Sequence, residues 1–259
     1  MNKLSAVIIA FNEEKDIRRC LESLQGIADE VYVLDSFSTD ETEAICREMG
    51  VRFEQHVFDG YVSQKNRAAD RATYDLILSL DADEALSERL KSQVLKIKEE
   101  WTHDGYIFNR KNSWCGRWIR FTTLYPDRKL RLFDRRKARW SGLDPHDFVK
   151  PTPGARTTRV RGDLLHWAIH TLEEQRTKTE QFARISAQAH FDHGRKAGLL
   201  SAYTHSAWRW LREYLFRLGL LEGRAGWQIA RFSALYAWRK YYYLRQLYGN
   251  QSRNRLGPS

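Results

Sequence analysis

Apolar residues recur along the first hundred positions in two alternating rhythms. Short, nearly continuous runs at Leu4–Ala10, Glu30–Leu34, Val51–Glu54 and Asp75–Leu80 predict buried strands. Between them, apolar residues three and four apart predict helices over Glu14–Leu24, Asp40–Met49, Ser63–Ala72 and Ser87–Glu100. Ser38-Thr39-Asp40 offers capping oxygens to the second of these helices, and Gly50 stands where its C-cap falls. Strands apolar on both faces, alternating with helices, predict an α/β fold with a mostly parallel sheet flanked by helices. Ligands bind such sheets beyond the carboxyl ends of the strands. Three of those ends carry Phe11-Asn12-Glu13, Asp35-Ser36 and Asp81-Ala82-Asp83. A lone Asn12 or Ser36 would be explained by ordinary turn and capping chemistry; the three together mark one sheet edge as a site.

Past residue 100 the rhythm changes. Gly105–Arg110, Lys129–Phe133 and Asp163–Trp167 predict strands separated by loops rich in Trp, Arg and Gly, as antiparallel or mixed additions to the sheet. Thr171-x-x-Glu174 is a capping box opening a helix towards His193, which Gly194 and Gly198 interrupt. Two further helices are expected, at about 199–218 and 224–248. The chain thus divides into 1–168, with halves 1–100 and 101–168, and a helical extension over 169–259.

Composition narrows the class. The 259 residues are 42% hydrophobic, enough for a substantial core. Cys20, Cys46 and Cys115 form no CxxC pair and no His/Cys cluster at metal spacing, so a disulfide framework or zinc module is not expected, and a reducing cytoplasm fits. No run of about 18 or more uncharged apolar residues predicts a spanning helix. The net charge of +10 hides a split: residues 1–100 sum to −8 and residues 101–259 to +18. An acidic half suited to cations is joined to a basic half suited to an anionic partner, nucleic acid or an anionic membrane face.

The sharpest chemical signal is "SLDADE", residues 79–84. Two carboxylates one residue apart at a strand end let one bind a divalent cation while the other reaches a ligand hydroxyl or a metal-bound water. Hard oxygen ligands of this kind suit Mg2+ or Mn2+, with diphosphate oxygens completing the shell. Alone, the pair is as compatible with solvated loop carboxylates.

"VIIAFNEEKDIRRCLESL", "VYVLDSFSTDET" and "DLILSLDADE" resemble, in order and spacing, the nucleotide-binding half of the family 2 glycosyltransferases with the GT-A fold. Within that family the chain is most similar to bacterial enzymes of lipopolysaccharide core assembly that add glucose to the inner-core heptose. The resemblance implies a GT-A, Rossmann-like catalytic domain over 1–168, with a nucleotide-binding half at 1–100 and an acceptor half at 101–168. It implies that Phe11 and Glu13 lie at the base and ribose of a bound nucleotide and Asp35 at its uracil or equivalent ring. Asp81 would meet the ribose or a metal-bound water, and Asp83 would coordinate the metal. "GYVSQKNRA", residues 60–68, resembles a family segment in which Gln64 and Lys65 help place donor and phosphates; a helix with a solvated lysine explains Lys65 as well. "RKLRLFDRRKARWSGLDPHDFV" resembles the segment in which a basic strand precedes a His-acidic dipeptide. Inverting transfer needs a base for the acceptor hydroxyl, and Asp147 is the candidate, where close relatives tend to carry Glu. His146 is a candidate metal ligand, a substrate contact or a hydrogen-bonded loop histidine. Arg131 is a candidate for a donor phosphate. His166 is expected to be a satisfied core histidine, and Glu84 a solvated or helix-capping residue.

The basic segments 198–221 and 227–248 set Trp and Tyr at the border of apolar and cationic positions. That pattern suits either an anionic membrane interface or packing on the core. The expected protein is therefore a cytoplasmic glycosyltransferase, peripheral at the inner face of the cytoplasmic membrane, using a UDP-sugar donor, Mg2+ or Mn2+ and a lipid-linked saccharide acceptor. A nucleotidyltransferase would share the nucleotide site and metal carboxylate. A nucleic-acid-binding module would use the basic half, but no helix-turn-helix, RRM-like or zinc signature supports it.

Overall fold

The computed structural model describes residues 2–143, 146–196 and 198–255. Its first eight elements are β1 (Leu4–Ala10), α1 (Ile17–Leu24), β2 (Glu30–Asp35), α2 (Thr42–Glu48), β3 (Arg52–Gln55), α3 (Tyr61–Arg71), β4 (Leu76–Asp81) and β5 (Glu84–Leu86). There follow α4 (Glu88–Glu99), β6 (Gly105–Trp114), β7 (Arg117–Trp118), β8 (Asp127–Asp134), β9 (Ala138–Leu143), β10 (His146–Pro151) and β11 (Thr157–Ile169). The chain ends with α5 (Leu172–Asp192), α6 (Leu199–Leu211), a π-helical turn (Arg212–Phe216), a 3-10 turn (Gly219–Glu222) and α7 (Arg224–Arg255).

The main sheet has the order β3-β2-β1-β4-β8-β6-β11-β5, with β7 paired to β6. It is parallel from β3 to β4 and turns antiparallel at β4/β8 and β8/β6, giving the mixed α/β architecture expected of a GT-A fold. Its parallel register aligns the predicted functional edge: Ala10 stands opposite Asp35, and Ile9 opposite Asp81. Apolar spacing explains how helices cover the sheet. In α1 the buried residues Ile17, Cys20, Leu21 and Leu24 recur at three and four, so one face joins Leu4, Ala6, Ile8 and Leu80 in the core. A Leu21→Ala change there would cost about 2–5 kcal/mol.

Helix ends follow from local chemistry. Ser87 caps α4 by accepting from the Leu90 amide, and Thr171 caps α5 through the Glu174 amide. The return bond of the predicted capping box reaches one residue further than the motif implies, from the His170 amide to Glu174 at 2.7 Å. Gly50 closes α2 in the left-handed region at φ 68°, with Val51 N–H bonding the Cys46 carbonyl. Asp40 caps the start of α2 by accepting from the Thr42 amide at 3.0 Å, and it also ties the Glu14 amide at 3.1 Å across to the neighbouring loop. The antiparallel hairpin β9/β10 was not anticipated, and it carries Asp147, paired in register with Gly142.

Two compact units divide the chain, Met1–Asn112 with Pro126–Ala168, and Ser113–Tyr125 with Ile169–Ser259. In the second unit α5 and α7 pack through Ala183 and Ala187 against Tyr243 and Leu244, small residues admitting a close approach. Ser186 and Tyr236 hydroxyls meet at 2.7 Å across that contact. The excursion 113–125 is held by two fully buried glutamates, Glu213 accepting from the Thr123 amide at 2.8 Å and Glu222 from the Arg120 amide at 2.7 Å. Among the described residues no helix is long and apolar enough to cross a membrane, and all three cysteines are free thiols.

Candidate active site

The carboxyl ends of β1 and β2 run into loops that are stitched together. Asn12 adopts φ 56°; its amide donates to Ser38 Oγ at 2.8 Å, and its side-chain oxygen accepts from the Thr39 amide at 2.8 Å. The Glu13 amide donates to Thr42 Oγ1 at 2.8 Å. Beside this hydrogen-bonded frame Phe11 stands 57% exposed. Asp35 is fully buried and its carboxylate is used internally, by the Ser38 amide at 2.8 Å, the Ser38 hydroxyl and Gln55 Nε2 at 3.3 Å.

Beyond β4 lies a network of opposed charges. The Lys65 ammonium bridges Asp81 Oδ1 at 2.8 Å and Asp147 Oδ2 at 2.7 Å. The Arg131 Nη2 group bridges Asp81 Oδ2 at 2.6 Å and Glu84 Oε1 at 2.7 Å. Arg110 extends the network from Glu84, 3.2 Å away, to Asp127 at 2.7 Å. Trp140 lies under both central cations, 4.3 Å from Lys65 Nζ and 5.2 Å from the Arg131 guanidinium carbon. Burial works to raise the pKa of Asp81, but the charges of Arg131 and Lys65 hold it well below the usual carboxylate range. Burial works against the charge of Arg131 as well, and Asp81 and Glu84 more than restore it.

Lys65 is therefore not the solvated lysine that was one of its two expected roles. Glu84 departs from expectation more fully. It is wholly buried, it accepts from Arg131 and Arg110, and its Oε2 takes the Asp81 amide at 3.0 Å. Pairing with two guanidinium groups offsets the desolvation cost that would otherwise keep this carboxylate at the surface. Arg131 spends one nitrogen on carboxylates, while its buried Nε and Nη1 have no partner among the described residues. Gln64 is fully buried and used in packing, donating to Ser36 Oγ at 3.1 Å and to the His56 carbonyl at 3.3 Å.

Asp83 faces a histidine that the sequence suggested was a core residue. His166 Nε2 is 3.1 Å from Asp83 Oδ2, while His166 Nδ1 meets Asn112 Oδ1 on β6. With Asn112 presenting its amide oxygen, Nδ1 carries a hydrogen, which leaves Nε2 to meet the carboxylate oxygen either as the second N–H of an imidazolium or across a shared cation. That contact is favourable only with a proton on Nε2 or a cation shared by the two groups. Outer hydrogen bonds that fix the imidazole tautomer are the usual support of a metal-ligating histidine. Burial works to raise the pKa of Asp83, and the His166 contact holds it below the ordinary value. The Trp167 amide fixes the Asp83 carbonyl at 3.0 Å, so β11 positions both members of the pair. Among the described residues no three His, Cys, Asp or Glu side chains converge as a complete metal site. The side chain of His146, the other candidate ligand, lies outside the described residues. His166, Asn112, Arg110 and Trp140 were not identified from sequence; they come from distant strands, and only the polar interruption of the apolar "LLHW" run hinted at one of them.

Sheet order and this acidic edge together define a class. The description "Glycosyl transferase family 2" matches residues 5–157, more than half of the chain, and the chain belongs to that family. Among curated relatives, the lipopolysaccharide core biosynthesis glycosyltransferase LpsC of Rhizobium meliloti is 29% identical over 244 residues, covering 90% of this chain and 88% of LpsC. A glycosyltransferase of Rickettsia felis is 41% identical over 107 residues; that match covers 41% of this chain and only 38% of the relative's own length. Among solved structures, glucosyl-3-phosphoglycerate synthase from Mycobacterium tuberculosis, in complex with Mn2+, UDP and glucosyl-3-phosphoglycerate, aligns at TM-score 0.35 and 24% identity over 44% of this chain and 45% of that one.

Proposed function

We propose that the protein is an inverting glycosyltransferase that moves a hexose, glucose by resemblance, from a UDP-sugar to a saccharide of the lipopolysaccharide core. The observation that carries this reading is the Asp83–His166 pair beyond the carboxyl end of β4, with the His166 tautomer fixed by Asn112. A carboxylate and an imidazole lone pair fit a divalent ion, Mg2+ or Mn2+, and such an ion would supply positive charge against the diphosphate as it leaves. Diphosphate oxygens and water would fill its remaining positions.

In this reading the exposed ring of Phe11 stacks on the base, and Glu13 and Asp81 serve the ribose. Asp35 supports the uracil end through the turn it organises. The unpartnered Nε and Nη1 of Arg131 are donors of the kind a phosphate oxygen satisfies. The acceptor hydroxyl oxygen attacks C1, the bond from C1 to the diphosphate oxygen breaks with its electron pair going to the diphosphate, and Asp147 takes the hydroxyl proton. Lys65, shared with Asp81, fixes the Asp147 carboxylate, and Gln64 shapes the helix that presents Lys65. The acceptor is taken to be carried on lipid, with the chain at an anionic membrane surface; LpsC and the basic, aromatic C-terminal segment support that part.

The test is a thermal-shift panel of nucleoside diphosphates and sugar nucleotides with Mn2+ or EDTA. UDP stabilises the wild type only with metal, and Asp83→Ala abolishes the shift. Asp147→Ala keeps donor binding and loses transfer. A wild type that no diphosphate stabilises in a metal-dependent way overturns the reading, and release of pyrophosphate from a triphosphate would make the protein a nucleotidyltransferase instead.

A further inference from the structure

An apolar stripe along a helix is ordinarily its buried face, and α6 with its π turn breaks that rule. Leu200, Tyr203, Trp208, Leu211 and Leu215 fall at helical spacing, as a core-facing stripe would, yet Leu200 is 76% and Tyr203 62% exposed, and all the others are exposed too. The stripe continues into the turn that follows, where Phe216 is 67% exposed and lies 5.6 Å from the Trp208 ring. Contiguous exposed apolar surface of this kind marks an interaction site. Charge says with what. Between residues 199 and 227 the only acids are Glu213 and Glu222, both buried and turned to the amides of the 113–125 excursion. The charge this segment shows to solvent is therefore cationic, with Arg217 and Arg224 exposed at the end of the stripe.

We propose that this face is a membrane-docking surface, on which α6 and the turn to α7 lie in the headgroup region of an anionic bilayer. Aromatic and aliphatic side chains enter the interface while the arginines meet lipid phosphates. A second copy of the chain fits less well, because a two-fold contact would set the same arginines against one another with no exposed acid to answer them. The inference supplies the membrane contact that the proposed acceptor calls for, but it rests on the stripe alone and is read without any substrate.

The experiment is co-sedimentation of the full chain with phosphatidylcholine vesicles, with or without 30 mol% (about a third) phosphatidylglycerol, beside its solution mass. The wild type sediments with the anionic vesicles; Arg217→Ser and Arg224→Ser each weaken binding about five-fold, and Leu200→Ser/Phe216→Ser weakens it further. Because these side chains are exposed, the variants keep the melting temperature and the UDP response of the wild type. Absence of binding to anionic vesicles, binding unchanged in every variant, or a wild-type dimer that the Leu200→Ser/Phe216→Ser change makes monomeric overturns the proposal. None of those outcomes touches the donor site, and loss of the UDP response in the wild type would leave the docking surface standing.

Discussion

Glu84 shows how far burial changes what a carboxylate does. With no exposed surface and two guanidinium partners it is one fixed charge in a balanced set, so Glu84→Gln is expected to cost about 3–5 kcal/mol in urea denaturation. Four residues along, Glu88 pairs with Lys91 from an 88% exposed side chain, and Glu88→Gln should change stability by less than about 0.5 kcal/mol. In the proposed site Asn112 would act on a bound ion through His166, so Asn112→Ala is expected to raise the Mn2+ concentration needed for the UDP thermal shift by about 10–100-fold. Asp29 gives a pH prediction. Burial opposes its ionisation, but Lys98, Lys3 and the Leu4 amide hold it at about 2. Its folded pKa is depressed, so its contribution to stability is complete above about pH 4 and fades as pH falls towards 2. The stability gap between wild type and Asp29→Asn should narrow over that window.

At the scale of elements, the parallel strands were legible because each is a short apolar run that stops at an Asx or acidic residue. Pairing of Ala10 with Asp35 and Ile9 with Asp81 turned three separate run ends into one edge. The β9/β10 hairpin was not legible: "ARWSGL" and "HDFVKP" keep no period-two alternation along their length, and Pro151 ends the second strand. The side-chain partner of Asp83 escaped for a different reason. His166 stands 83 residues away on β11, and pairing across a sheet leaves no local trace. Helix α7 contains a paired test of backbone approach. A Cβ on Gly226 would lie 1.7 Å from the Gly219 carbonyl oxygen, whereas one on Gly249 meets nothing within 4 Å. Gly226→Ala should therefore cost at least about 3 kcal/mol, and Gly249→Ala should gain about 0.5–1 kcal/mol, both read by denaturant melts.

For the whole molecule, the net charge changes sign between residues 1–100, at −8, and residues 101–259, at +18, and the two proposals would use that split for two kinds of anion chemistry, diphosphate met with a cation and lipid phosphate met by arginine. In those proposals the donor site falls in the first compact unit and the docking stripe in the second. Calorimetry is expected to show UDP with Mn2+ raising the transition of the first unit, by about 2.7 kcal/mol at a hundred times Kd, while anionic vesicles act on the second. Glu213 and Glu222 carry a further consequence, one of timing. The Arg120 amide waits for a glutamate 102 residues downstream, and the Thr123 amide for one 90 residues downstream. At translation speeds of about 5–20 residues per second that is an interval of roughly 5–20 s. During it, nascent chain 113–125, with Trp114, Trp118 and Ile119, has emerged from the ribosome before the carboxylates that anchor it exist. A ribosome stalled in that interval should display the segment to a chaperone or a protease, and release of the finished chain should hide it.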